Sequence, residues 1–74
     1  MTRTPVPSTN IKAVGYDPET QTLEVEFKHG EIYQYFGVPA SVHQELVISP
    51  SVGSYFRANV YNGNYAHKRM QKGE

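Results

Sequence analysis

Thr22-Leu23-Glu24-Val25-Glu26-Phe27-Lys28 alternates polar and apolar residues without a fault. A period of two places Leu23, Val25 and Phe27 on one face of a strand. Thr22, Glu24, Glu26 and Lys28 fall on the other. One buried and one wet face describe an antiparallel sheet. The rest of the chain must therefore supply neighbouring strands and a layer that covers the apolar side.

The neighbours are legible on both sides. Asn10 to Tyr16 reads as a strand with Val14 and Tyr16 on one face and Ile11 and Ala13 on the other. Asp17-Pro18-Glu19-Thr20-Gln21 forms the turn between these two strands. Asp accepts local backbone hydrogen bonds there, and Pro presets φ. After His29-Gly30 comes a third strand, ending at Gly37-Val38-Pro39, and two hairpin registers are open to it. A two-residue loop requires positive φ at His29 and places Tyr33 and Tyr35 on the wet face with Glu24 and Glu26. A three-residue loop, Lys28-His29-Gly30, asks for a left-handed backbone only at Gly30. It sets Val25 opposite Tyr33 and Leu23 opposite Tyr35. Both tyrosines then join the apolar face, and Ile32, Gln34 and Phe36 turn outward. Hiding Ile32 and Phe36 favours the first register; turn chemistry favours the second, which is the preferred reading.

Pro39 fits the first position of a helix, where its missing N–H costs nothing. Ala40 to Ile48 has Val42 and Leu46 four apart on one face, and Ser49-Pro50 ends it. A second short helix begins near Ser51, whose hydroxyl is an expected cap, with Ser49 ahead of Pro50 as the alternative. Val52, Phe56 and Val60 form its buried stripe, flanked by Tyr55. Tyr61-Asn62-Gly63-Asn64-Tyr65 is the richest turn signal, and Ala66 to Met70 is basic.

The expected fold is α+β: a three-stranded antiparallel β-meander followed by two short helices packed on one face. Its core comprises Val14, Tyr16, Leu23, Val25, Phe27, Val42, Leu46, Val52 and Phe56. Seventy-four residues make one domain. The expected organisation is a flexible lead-in over 1–7, a single domain over 8–70 and a frayed tail over 71–74. With no Cys, disulfides and cysteine-based zinc sites are excluded, which leaves aromatic packing or oligomerisation to stabilise so short a chain; six Tyr and three Phe favour the first. No apolar run approaches the ~20 residues of a membrane span, and the N-terminal residues lack the apolar core of a signal peptide. The expected location is cytoplasmic, with no membrane partner.

Net charge is zero but polarised. Residues 1–50 hold three basic and six acidic side chains, and residues 51–74 hold four basic and one acidic. The basic half carries aromatics between its cations. Arg57, His67, Lys68 and Arg69 are candidates for phosphate contacts, with Tyr61 and Tyr65 as stacking partners for bases. Against this stands a pI near 6.8. His29, His43 and His67 lack metal-ligand spacing, so no metal or other cofactor is expected. Glu24 and Glu26 could mimic an acid pair, but alternating strand acids ordinarily form a solvated face. No nucleophile elbow, HExxH or P-loop is present, so no catalytic residue is assigned and the expected class is non-enzymatic.

Ser8 to Tyr16 (STNIKAVGY), TLEVEF, Tyr33-Gln34-Tyr35, Val38-Pro39, Ser51-Val52-Gly53-Ser54-Tyr55-Phe56 and Tyr65 followed by basic residues occur in this order. Together they resemble the KTSC family, whose domains of about sixty residues stand alone in bacterial proteins or end some lysyl-tRNA synthetases. The resemblance implies Tyr33 and Tyr35 as the family's tyrosine pair, and RNA as the expected partner by association with a synthetase. The function expected is a small binding module for RNA or other nucleic acid, acting through the basic and aromatic C-terminal segment. The alternative is a protein-interaction or homodimerisation domain that uses a sheet edge or the apolar patch of Ile32 and Phe36.

Overall fold

The computed structural model describes residues 3–70. Its strands are β1 (Thr4–Pro5), β2 (Ile11–Asp17), β3 (Thr22–Phe27), β4 (Ile32–Phe36) and β5 (Ala66–Met70). Between β4 and β5 lie α1 (Ala40–Ile48), α2 (Val52–Phe56) and a π-helical turn, Arg57–Tyr61. Among the described residues the sheet has five antiparallel strands in the order β1-β2-β3-β4-β5. The expected three-stranded meander therefore forms only the centre of a wider sheet. The two added strands lie at the edges and lack a period-two signal. β1 is two residues long and contains Pro5, and four of the five residues of β5 are exposed. Such strands are recruited by backbone pairing with polar and ring contacts such as Arg69 to Glu31 and His67 to Tyr35, which an apolar pattern does not report. The tail over 71–74 lies outside the described residues.

The hairpin between β3 and β4 takes the three-residue loop. Val25 pairs with Tyr33 and Leu23 with Tyr35. Phe27 N–H donates to the Glu31 carbonyl at 2.9 Å, and Gly30 N–H donates to the Phe27 carbonyl at 2.9 Å. Gly30 has φ of 108°, which a side chain would strain. Leu23, Val25 and Tyr35 consequently point to one side, where Val38, Leu46, Val52, Phe56 and Val60 close over them.

The face assignment in β2 differs from expectation at one residue. Ile11 pairs with Phe27 but Ala13 pairs with Glu26, so a bulge at Lys12 interrupts the alternation. The extra residue turns Ile11 back onto the Val14 face, where it is fully buried. Tyr16, Phe27 and Val42, expected inside, are only partly buried at the core margin. The Tyr16 hydroxyl donates to the Val38 carbonyl at 2.5 Å. Its ring stacks on His43 with centroids 4.8 Å apart and planes within 8°.

The α1 boundaries match expectation, but its cap does not. Pro39 precedes the helix with φ −65° and ψ 152°, so it is the cap residue and not the first helical residue. Ser51 caps α2 by position without a side-chain bond to the helix. Instead the Ser49 hydroxyl accepts from Ser51 N–H at 3.1 Å, which stabilises the turn between the helices.

On the far face a charged network spans the sheet. Arg3 pairs with Glu24 and, at 3.2 Å, with Glu26. Gln34 Nε2 donates to Glu24 Oε1 at 2.8 Å, so the buried carboxylate has its partners. Gly15 pairs with Glu24 across the strands. The apolar patch expected here is smaller than Ile32 and Phe36 together. Ile32 is only 7% exposed, flanked by Glu26 and Met70 on the adjacent strands, and Phe36 is 37% exposed. No helix among the described residues is long and apolar enough to cross a membrane.

Two outcomes follow from this packing. Gly30→Ala is expected to cost at least about 1 kcal/mol in urea denaturation, because alanine resists the positive φ; an unchanged midpoint would show that the turn is not strained. Burial pulls the His43 pKa below its usual 6.5. The unfolded chain then binds the proton more readily than the fold, so stability is full above about pH 6.5 and falls as pH drops below it. His43→Phe, which keeps the ring stack, should flatten that decline between about pH 7 and pH 5, measured by urea midpoints.

Candidate nucleic-acid interface

Strand alternation divides the basic C-terminal segment between the two faces of the sheet. Arg69 pairs with Tyr33 and His67 with Tyr35, so both rise on the helix-bearing side. Lys68 pairs with Gln34 and rises on the far side. Six candidate residues close together in sequence thus separate. His67 and Arg69 stand beside the tyrosine pair, and Lys68 stands beside the Arg3 network.

The helical segment delivers the other half of the site. Asn62 N–H donates to the Arg57 carbonyl at 3.0 Å, the five-residue spacing of a π-turn. The wider turn keeps Val60 in the core below Val52 and Phe56 while Tyr61 projects outward, 65% exposed. Gly63 follows, with its N–H bonded to the Val60 carbonyl at 3.1 Å. A Cβ at Gly63 would lie 2.7 Å from the Asn59 carbonyl oxygen and 2.9 Å from the Tyr65 ring, so only glycine lets the chain reverse here. Tyr65 packs against the core and is half-buried.

Between these parts runs a groove of about 430 Å³. Its floor is aromatic. Phe27 meets Tyr33 edge-on at 5.9 Å, and Tyr35 meets Phe56 edge-on at 5.5 Å. Tyr33 and Tyr35 lie 6.3 Å apart with planes within 25°. The His67 ring closes one side, 5.5 Å from Tyr35 and 6.2 Å from Tyr33. Tyr61 and Arg57, from the helical segment, also line it. Tyr35 is buried and its phenol pKa is pushed up to about 12, chiefly by that burial, with smaller contributions from Tyr33 and Tyr61. The groove therefore offers neutral ring surfaces below and cationic or imidazole groups at its rim. Glu31 also lines it and holds Arg69 Nη1 at 3.3 Å and His29 Nε2 at 3.1 Å. Phe27, His29, Glu31 and Phe56 were not among the candidate residues. Phe27 and Phe56 carry ordinary core spacing, and the hairpin turn that brings His29 and Glu31 alongside has no linear signal.

The segments that bear the family resemblance meet around this groove: Asn10 and Ile11, Tyr33 and Tyr35, Gly53 and Phe56 all line it. The KTSC domain profile matches residues 7–65. The chain belongs to the KTSC domain family. A crystal structure of a KTSC domain protein from Yersinia pestis superposes with a TM-score of 0.86 at 36% identity, covering 95% of this chain and 97% of that one. An uncharacterised protein of Stutzerimonas stutzeri is 39% identical over 70 residues, covering 95% of this chain and 99% of its own length. A lysine–tRNA ligase of a Nostoc species is 45% identical over 60 residues, covering 81% of this chain. The match takes in only 10% of that ligase, so this KTSC domain corresponds to a small part of it.

Proposed function

We propose that this KTSC domain is a non-catalytic module that binds single-stranded RNA or other single-stranded nucleic acid in the aromatic groove. The observation that carries this reading is the groove itself: ring faces of Tyr33, Tyr61 and His67 open beside Arg57, with Arg69 next to Tyr33 on the adjacent strand and paired with Glu31. Unpaired bases stack on such rings, and guanidinium groups contact the neighbouring phosphates. Kinship with part of a lysine–tRNA ligase supports an RNA partner. Lys68, on the opposite face, is left out of the interface.

Docking of a protein or a second copy has less to use. β5 carries Lys68 and Arg69 along its edge, charges that discourage strand addition. The far face offers Phe36 with little apolar surface around it.

Fluorescence anisotropy with a labelled single-stranded RNA over a salt series tests the reading. Tyr61→Ala is expected to weaken binding by about 1–3 kcal/mol, the worth of one stacked base. Arg57→Gln should reduce the slope of log affinity against log salt by about 0.7, one phosphate contact on a single strand. No binding at low salt, or an affinity indifferent to both substitutions, would overturn it.

A further inference from the structure

A second cleft, of about 780 Å³, adjoins the aromatic groove and shares Asn10, Gly53 and Arg57 with it. Its chemistry is different. The hydroxyl-bearing residues Ser8, Thr9, Ser51 and Ser54 line it together with Lys28 and Arg57. None of the described residues lining it is acidic, and neither Lys28 nor Arg57 has a carboxylate partner among the described residues. Elsewhere Arg3 and Lys12 are compensated by Glu24 and Glu26, and Arg69 by Glu31; Lys68 also has no carboxylate partner among the described residues, but it lies on the far face of the sheet, outside both clefts. Two uncompensated cations among hydroxyls and amides, in a concave site without a competing carboxylate, suit a phosphate group.

The fold assembles this cleft from separate parts. The Ser8 hydroxyl accepts from the N–H groups of Asn10 and Ile11, both at 3.3 Å, which holds the loop before β2 in place. Lys28 N–H donates to the Asn10 carbonyl at 2.8 Å, so the hairpin turn that sets the tyrosine register also brings Lys28 to this loop. A Cβ at Gly53 would stand 3.4 Å from the Ser8 hydroxyl, so the start of α2 packs closely against the same loop. Loop, hairpin and helix converge on one cleft, and Arg57 stands at its junction with the aromatic groove.

We infer that the polar cleft is a phosphate subsite, and that one nucleotide spans both clefts with its base in the aromatic groove and its phosphate against Lys28 and Arg57. This rests on the nucleic-acid reading above and adds to it a fixed direction for the bound strand. Lys28 is the residue specific to the new subsite, since Arg57 serves both clefts.

Amide and side-chain shifts of isotope-labelled protein, titrated separately with adenosine, adenosine monophosphate and inorganic phosphate at millimolar concentration, provide the test. Adenosine should move the signals of Tyr33, Tyr61 and His67 alone. Adenosine monophosphate should move these and the amides of 51–54, and bind roughly tenfold tighter through its charge-assisted contacts. Inorganic phosphate should move only the second group. Lys28→Glu should bring adenosine monophosphate down to the affinity of adenosine. Lys68→Glu, the same charge change on the far face, should leave the difference intact. If adenosine monophosphate binds no tighter than adenosine and leaves 51–54 unmoved, the subsite falls and the aromatic groove stands. If phosphate moves 51–54 but neither nucleoside nor nucleotide moves the groove, the base-binding reading falls and the spanning nucleotide with it. Equal losses from Lys28→Glu and Lys68→Glu would reduce the effect to net charge and overturn the assignment.

Discussion

The left-handed backbone at Gly30 governs the molecule. It fixes a three-residue turn, and the turn fixes which way every side chain of β4 points. A shift of one residue would send Tyr33 and Tyr35 to the face occupied by Glu24 and Glu26. Ile32 and Phe36 would then lie under the helices, and the charged network on the far face would meet phenol rings. With the observed register the tyrosine pair becomes both the outer layer of the core and the floor of a groove. The same turn carries Lys28 to the loop at Asn10, so one backbone conformation links the core, the aromatic groove and the polar cleft.

Register then propagates to the basic end of the chain. Because β5 pairs with β4, the alternation of Tyr33, Gln34 and Tyr35 is copied onto Arg69, Lys68 and His67. Consecutive residues in a strand serve opposite faces. Arg69 and His67 therefore share the groove side with Arg57, which arrives from the π-helical turn. A cluster drawn along the sequence becomes a different cluster in space.

What the sequence disclosed follows the strength of its local signals. The alternating side-chain directions of β3, the Pro39 and Pro50 boundaries of α1 and the four-residue spacing of Val52, Phe56 and Val60 are each written in neighbouring residues, and each is found in the fold; the wet face expected of β3 is not, since Thr22 and Glu24 are both buried on it. The face of Ile11 was misread because a bulge leaves no mark in hydrophobicity: Lys12 looks like an ordinary strand residue. β1 and β5 leave no such mark because both faces of an edge strand are wet. The candidate interface was legible in kind, as aromatics and cations near the C-terminus. It was not legible in membership, since Phe27, His29 and Glu31 enter through the hairpin and Lys68 is turned away by strand pairing. The polar cleft had no linear trace, because Ser8, Lys28 and Ser54 become neighbours only through tertiary contacts.

Everything proposed for this domain requires that ligand meet the helix-bearing face of the sheet. Photo-crosslinking of a single-stranded RNA carrying iodouridine, followed by mass spectrometry of the attached peptides, tests it most directly. Crosslinks at Tyr33, Tyr61 or His67 are expected. Crosslinks concentrated at Phe36, the exposed aromatic of the far face, would contradict it.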